Sequence, residues 1–132
     1  MSNGVKPTVV IVFGVMNIVF GSICAIIDLY GLIRFIGVSY TAVFGLIFNL
    51  AVDGLLVFAG AGLIKDRKNV LMLNQYYIAA SVFVTVIVYV SHKIAALPSS
   101  TVGAIFGILY PAVLLVLLVN SDEVKRYCAN LK

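Results

Sequence analysis

Asp53 is the residue of this sequence whose type and position most clearly indicate chemistry. It lies near the middle of the apolar run Thr41–Ile64, with Asn49 one helical turn away in the same run. Acidic residues are rare inside membrane helices, and where they occur they often mark an ion or proton pathway. The pattern therefore predicts a carboxyl group inside the bilayer, carried by a helix.

The run is apolar enough to enter a bilayer in spite of its aspartate. An aspartate at the centre of a membrane helix costs roughly +2.5 to +3.5 kcal/mol, and each Leu, Ile, Phe or Val returns about −0.3 to −0.6 kcal/mol. Thirteen such residues between Val43 and Ile64 return on the order of −4 to −8 kcal/mol. We therefore expect Asp53 to find a partner within the protein, or to hold a proton, instead of facing lipid.

Polar side chains occur at a similar depth in the other apolar runs. At about 1.5 Å per helical residue, Asn17, Ser81 and Tyr110 all lie roughly 13–15 Å into their runs, close to the depth of Asp53. We expect at least one of the three to donate a hydrogen bond to Asp53. Two interpretations of this layer, which also includes Asn49, remain open: buried hydrogen bonds that fix helix register, or an ion or proton site.

Four apolar runs position these side chains. Each is about as long as the roughly 20 residues that a membrane helix needs, and the joints between them are short, which favours antiparallel neighbours. The sequence thus predicts an all-α, single-domain protein over residues 1–132, an up-down antiparallel bundle of four transmembrane helices with an amphipathic tail on the membrane surface. The predicted helices span residues 8–30, 41–64, 71–90 and 102–119, and the tail spans residues 121–132.

Glycines in three of the runs are predicted to lie where helices approach each other closely. Small residues allow membrane helices to pack with their backbones near contact. The predicted packing positions are Gly14 and Gly21 in the first run, Gly45 and Gly60 in the second, and the GxxxG pair Gly103 and Gly107 in the fourth.

Composition and charge distribution agree with a membrane protein. Hydrophobic residues make up 63% of the chain and charged residues 11%, against about half and a quarter in a soluble domain. The net charge of +4 does not indicate nucleic-acid binding, because the basic residues flank the apolar runs. Seven of the nine fall on one side, which predicts cytoplasmic termini and a cytoplasmic Lys65–Lys68 loop: Lys6, Lys65, Arg67, Lys68, Lys125, Arg126 and Lys132.

No enzyme, metal or cofactor motif is found in the sequence. It has one histidine and no nucleophile–base pattern, metal-ligand spacing or phosphate-binding loop. The predicted function is a structural or partner-binding component of the lipid bilayer, which forms a homo-oligomer or binds another membrane protein. The alternative is a small oligomeric channel, or a cation- or proton-coupled transporter, with Asp53 as the ion-binding carboxylate.

Overall fold

A computed structural model describes residues 5–131. Four of its helices are long and apolar enough to cross a membrane, which confirms the prediction of an all-helical chain with four such segments. Lys132, the last residue of the predicted tail, lies outside the described residues. The helices are α1 (Thr8–Phe35), α2 (Tyr40–Ile64), α3 (Val70–Ile94), α4 (Thr101–Leu114) and α5 (Asp122–Ala129), and a π-helical turn, Leu115–Val119, follows α4.

Two helices are longer than hydropathy predicts. Helix α1 continues past Tyr30 to Phe35, and α3 continues past Val90 to Ile94. The predicted ends lie at Tyr30 and Val90, but the residues that follow them, Gly31 and Ser91, remain helical. Both helices stop shortly before a residue with positive φ, Gly37 at 81° and Ala96 at 52°, because a left-handed residue cannot continue a right-handed helix.

Serine hydroxyls begin two of the helices. Ser39 accepts a hydrogen bond from the backbone N–H of Ala42 at 3.3 Å, and Ser100 accepts one from Gly103 at 2.9 Å. These side chains satisfy N–H groups that the first turn of a helix leaves without an intrahelical acceptor. The Ser99–Thr101 run predicts the second of these caps.

The helices pack in sequence order, α1 on α2, α2 on α3 and α3 on α4, and the contact between α1 and α2 is the most extensive. A methyl group added at Gly60 would lie 2.7 Å from the carbonyl oxygen of Gly14 and 2.8 Å from Cβ of Asn17. The backbones of α1 and α2 therefore touch. The buried apolar cluster draws on every helix and on the π-helical turn; it includes Val10, Leu63, Val70, Leu114, Leu118 and Val124.

Five of the six predicted packing glycines lie against another helix. Gly14 and Gly21 face α2, Gly60 faces α1, Gly45 faces Val88 of α3, and Gly107 faces Thr85 of α3. Gly103 differs, since the only atoms near its open side belong to Ser100, the residue that caps its own helix. Within the described chain, Gly103 thus packs against no other helix.

Helix α5 covers one end of the bundle. Val124 and Cys128 on its apolar face are buried in the main core cluster. This face therefore contacts protein, whereas the amphipathic pattern predicts contact with lipid. The run Ser121–Glu123 predicts a capped start for α5, but the side chain of Ser121 makes no capping hydrogen bond. Burial of the apolar face sets the position of α5 instead.

Asp66 joins three separate parts of the chain at this same end. Its Oδ1 atom lies 2.6 Å from Nζ of Lys6 and accepts a hydrogen bond of 2.7 Å from the hydroxyl of Tyr127 in α5. Lys6 also donates to the carbonyl oxygen of Ile64 at 2.8 Å. The segment before α1, the α2–α3 loop and α5 therefore meet at Asp66.

Lys6, Asp66 and Tyr127, which we call the Asp66 cluster, make the stability of the fold depend on pH. Partial burial raises the pKa of Asp66, but the hydrogen bonds from Lys6 and Tyr127 and the charge of Lys6 outweigh it and lower the pKa below its usual value. A carboxyl group with a depressed folded pKa stabilises the fold above its unfolded pKa of about 3.9 and loses this contribution as pH falls through the folded value. We expect the free energy of unfolding to decrease below about pH 4.

The matched variant is Asp66→Asn, because asparagine also tolerates the positive φ of 53° at this position. Its free energy of unfolding in detergent, measured against pH, should lack the part of the acid decrease that Asp66 causes. Identical curves for the variant and the wild type would contradict the role of the Asp66 cluster. Burial and the hydrogen bond to Asp66 raise the pKa of Tyr127 to about 12. Tyr127 therefore stays protonated over the pH range in which the two unfolding curves are compared.

Candidate functional site

A chain of hydrogen bonds crosses the bundle from α4 through α1 to α3. The hydroxyl of Tyr110 donates to Oδ1 of Asn17 at 2.5 Å, and Nδ2 of Asn17 donates to Oδ1 of Asn74 at 3.0 Å. Nδ2 of Asn74 in turn donates to the carbonyl oxygen of Val70 at 2.8 Å. Both asparagines are fully buried, with 0% of their surface exposed. We call these three side chains, Asn17, Asn74 and Tyr110, the amide–phenol network.

This network fits the structural interpretation of the polar layer. Each amide in it donates once, and the chain of donors ends on a backbone carbonyl, so the polar atoms are paired with one another. Hydrogen bonds between membrane helices contribute about 0.6–2 kcal/mol each. The ring of Phe20 also packs edge-on against Tyr110, with 5.3 Å between centroids. The network therefore holds α4 against α1 in one register.

The sequence places Asn17 and Tyr110 in the predicted polar layer, whereas Asn74 is not among its predicted members. Asn74 begins the stripe that continues with the buried residues Tyr77 and Ser81 on α3, at the helical spacing of three and four residues. That spacing was the available signal. Asn74 lies near the start of α3, so counting residues from the helix end places it well above the depth of Asn17. That count ignores helix tilt, which brings the two side chains together.

Ser81 belongs to the site through a different contact. Its hydroxyl donates to the carbonyl oxygen of Gly107 at 3.1 Å. Pro111 has no N–H, so the carbonyl four residues before it, that of Gly107, loses its helical donor. In membrane helices, serine and threonine side chains commonly replace such a donor. The Ser81 hydroxyl thus replaces the backbone donor that the Gly107 carbonyl loses, so that Pro111 is tolerated within α4.

This arrangement predicts a thermodynamic coupling between Ser81 and Pro111. Ser81→Ala should lower the free energy of unfolding by about 1 kcal/mol, because the Gly107 carbonyl is left without a donor. In a Pro111→Ala background the helix supplies its own N–H, and the same substitution should cost clearly less. A double-mutant cycle in detergent measures the difference. Equal costs in both backgrounds would show that the hydroxyl does not serve the proline gap.

Asp53 does not join the amide–phenol network. None of the described side-chain hydrogen bonds of Asn17, Ser81 or Tyr110 goes to Asp53, so the predicted donation to it is wrong. Among residues 5–131, its Oδ2 atom is buried without a hydrogen-bond partner. The donors were predicted from depth alone, but their bonds lie between α1, α3 and α4, and Asp53 belongs to α2.

A second acid lies close to Asp53. It is Asp28, on α1, whose carboxyl group is near enough to interact electrostatically with that of Asp53. Two ionised carboxylates offer only acceptors, so neither can donate a hydrogen bond to the other. Asn49, predicted to support Asp53, is half-buried and forms no side-chain hydrogen bond that the structure describes. We call Asp28 and Asp53 the carboxyl pair.

Comparison with protein-family models, with characterised proteins and with solved structures finds no match to this chain. Within the described part of the chain, no three His, Cys, Asp or Glu side chains come together in a way that could hold a metal ion. The amide–phenol network, the carboxyl pair and the exposed helix surfaces are therefore the features from which a function can be inferred.

Proposed function

We propose that the chain is a structural or partner-binding component of a membrane, which acts as an oligomer or bound to a second membrane protein. The observation that carries the proposal is the open side of Gly103 on α4, which touches no other helix among residues 5–131. Beside it, Val102 and Phe106 are each 63% exposed. A small residue on an open helix face allows a second membrane helix to pack closely.

The proposal includes an up-down arrangement with both termini in the cytoplasm. Gly14 faces Gly60 and Leu63, whereas Gly21 faces Asp53 and Val57, and this reversed order supports antiparallel packing of α1 and α2. The Asp66 cluster supports a shared end for the first segment, the α2–α3 loop and α5. Because that end carries most of the Lys and Arg residues, the positive-inside rule assigns it to the cytoplasm.

The test is the oligomeric state of the purified protein in mild detergent, measured by light scattering and by crosslinking in membranes. The wild type should be larger than a monomer, and Gly103→Leu should dissociate it without lowering its melting temperature. The control is Val86→Leu on α3, which adds bulk at an exposed position, with 48% of its surface open, that has no glycine. A monomeric wild type, or dissociation by the control alone, would refute the proposed association face.

The carboxyl pair favours a second candidate function, a channel or a cation- or proton-coupled transporter. Asp28 and Asp53 come from different helices, and one buried oxygen of Asp53 has no donor. Two adjacent carboxylates inside a membrane are expensive to keep charged, so a proton or a cation between them would relieve the repulsion. Shared proton binding is how paired acids commonly function in enzymes and pumps.

Flux into liposomes separates the two candidates. If the carboxyl pair transports protons or cations, wild-type vesicles should show ion flux, and Asp53→Asn and Asp28→Asn should each abolish it while the melting temperature is retained. Asn49→Leu, which removes a nearby polar group outside the pair, should retain the flux. Absence of flux in the wild type would leave the association role as the function and exclude the transporter.

A further inference from the structure

A pocket lies where α2 ends and α3 begins. Its volume is about 580 Å³, within the range of roughly 300–1,000 Å³ of small-molecule sites. One part of its lining is cationic and comes from the connecting loop: Lys65, Arg67 and Lys68. The other part is apolar and includes Phe58 of α2 and Met72 of α3. We call it the loop pocket, and it shares no residue with the amide–phenol network or the carboxyl pair.

The backbone of this loop is held in one conformation by its own hydrogen bonds. Asp66 has a positive φ of 53°, and the N–H of Arg67 donates to the carbonyl oxygen of Gly62 at 3.0 Å. A hydrogen bond that closes around a left-handed residue in this way is the Schellman ending of a helix. The N–H of Val70, which begins α3, donates to the carbonyl oxygen of Arg67 at 3.1 Å. The backbone from which the basic side chains extend is therefore ordered before a ligand binds.

The basic side chains of the pocket have no counterion within the described chain. Asp66 also borders the pocket, but its carboxylate already pairs with Lys6 at 2.6 Å. Among residues 5–131, Lys65, Arg67 and Lys68 form no salt bridge. Three positive charges thus lie together on an exposed loop, and a ligand with a net negative charge would relieve their repulsion.

Arg67 brings one of these charges against the membrane-spanning part of α2. Its guanidinium carbon lies 5.3 Å from the centroid of the Phe58 ring, which is a cation–π contact. Phe58 precedes Ile64, the last residue of α2, by about 9 Å along the helix. The ring covers one face of the guanidinium, and the N–H donors in the plane of the group suit the oxygens of a phosphate.

The lining as a whole requires an anion with an apolar tail. Phe58 and Met72 are 49% and 43% exposed, and they belong to helices apolar enough to cross a membrane. This apolar surface lies at the depth of acyl chains, whereas the loop lies at the level of headgroups. A phospholipid with a net negative charge has both parts in this order. Free phosphate would use the loop alone, and a zwitterionic lipid would bring a further cation to a site that already has three.

We propose that the loop pocket binds one anionic phospholipid molecule. Its phosphate accepts hydrogen bonds from the guanidinium of Arg67 and from the ammonium groups of Lys65 and Lys68, and one acyl chain lies along Phe58 and Met72. The bound lipid ties the α2–α3 loop to the headgroup layer. This site is separate from the open face of α4 that is proposed for association, so either proposal can fail without the other.

The test is binding of dioleoyl phosphatidylglycerol to the purified protein in detergent, counted by native mass spectrometry. Dioleoyl phosphatidylcholine has the same phosphate and acyl chains but adds a positive charge, and glycerophosphoglycerol is the anionic headgroup without acyl chains. The wild type should bind one phosphatidylglycerol per chain, about tenfold more tightly than phosphatidylcholine. Glycerophosphoglycerol should not displace it, and displacement by this headgroup at equal concentration would overturn the proposal, because the acyl chain would then contribute nothing.

Substitutions in the loop measure the contribution of each charge. Arg67→Gln should weaken phosphatidylglycerol binding about fivefold, the equivalent of the roughly 1 kcal/mol that a basic residue contributes near anionic lipid. Arg67→Lys, which keeps the charge, should lose less. Lys65→Gln and Lys68→Gln together should weaken binding about 25-fold. The matched control is Lys125→Gln, which removes the same charge from α5 at the same end of the bundle but outside the pocket lining, and it should bind as the wild type does.

Equal weakening by Lys125→Gln and Arg67→Gln would show that the total charge of the chain attracts the lipid, and it would overturn the proposal. Equal affinity of the wild type for the two lipids would also overturn it. If Arg67→Gln lowers the melting temperature, the variant with both lysines replaced decides, because it leaves the contact between Arg67 and Phe58 in place. Loss of association between copies in that variant, with lipid binding unchanged, would identify acidic residues of a second copy as the occupant and overturn the proposal.

Discussion

Asn17→Leu is expected to lower the free energy of unfolding by about 2–4 kcal/mol. Leucine is similar in size, so the loss reflects hydrogen bonding and not a cavity. The Tyr110 hydroxyl would lose its acceptor in a part-buried position, and Oδ1 of the fully buried Asn74 would lose its donor. Removing one partner of a buried pair costs the full desolvation of the other, and here two groups are left unpaired.

Reversible unfolding in mixed detergent micelles measures this effect. Asn49→Leu is the matched control, since it replaces an asparagine for which the structure describes no side-chain hydrogen bond, and it should change stability by less than about 0.5 kcal/mol. A double-mutant cycle with Tyr110→Phe should give a coupling energy of about 0.5–3 kcal/mol. If the effects of the two substitutions are additive, the Asn17 side chain and the Tyr110 hydroxyl are not energetically coupled.

Gly60→Ala should destabilise the protein by about 1–3 kcal/mol, because the added methyl group overpacks the contact between α1 and α2. It would meet the carbonyl oxygen of Gly14 at 2.7 Å and Cβ of Asn17 at 2.8 Å. Backbone atoms cannot rotate away, so the two helices must separate. The separation would also strain the amide–phenol network, which starts from the same turn of α1.

The control for this substitution lies in the same helix. Gly54 has no atom within 4 Å of its open side, so Gly54→Ala meets no steric barrier and gains up to about 1 kcal/mol from the higher helix propensity of alanine. The two variants are therefore expected to shift the melting temperature in opposite directions. A stabilising Gly60→Ala would show that α1 and α2 are not in backbone contact.

The sequence predicts a polar layer at one depth, but it does not predict which groups in that layer bond to one another. The sequence predicts Ser81 in a polar layer because its depth matches that of Asp53. In the structure its hydroxyl instead donates to the Gly107 carbonyl, which has no helical donor because of Pro111. That role could have been predicted, since the gap four residues before a proline follows from the sequence alone. Which hydroxyl fills the gap depends on the rotation of α3 against α4, and no local pattern specifies that rotation.

The carboxyl pair illustrates the same distinction. Asp28 follows Asn17 and Gly21 on one face of α1 at helical spacing, which the sequence predicts. Its nearness to Asp53 depends on how far α1 has slid along α2, and the contacts of Gly14, Gly21 and Gly60 set that distance. A shift of one turn, about 5.4 Å, would separate the two acids.

By itself the sequence determined an all-helical chain with four segments long and apolar enough to span a membrane. Hydrophobic length, helical period and capping residues are local properties, and each can be evaluated within a single segment. Only the tertiary structure decided that Asn17 pairs with Asn74 and Tyr110 and that Asp53 lies close to Asp28. The physical reason is that a hydrogen bond forms over about 3 Å, a distance set by the tilt, rotation and offset of two helices together.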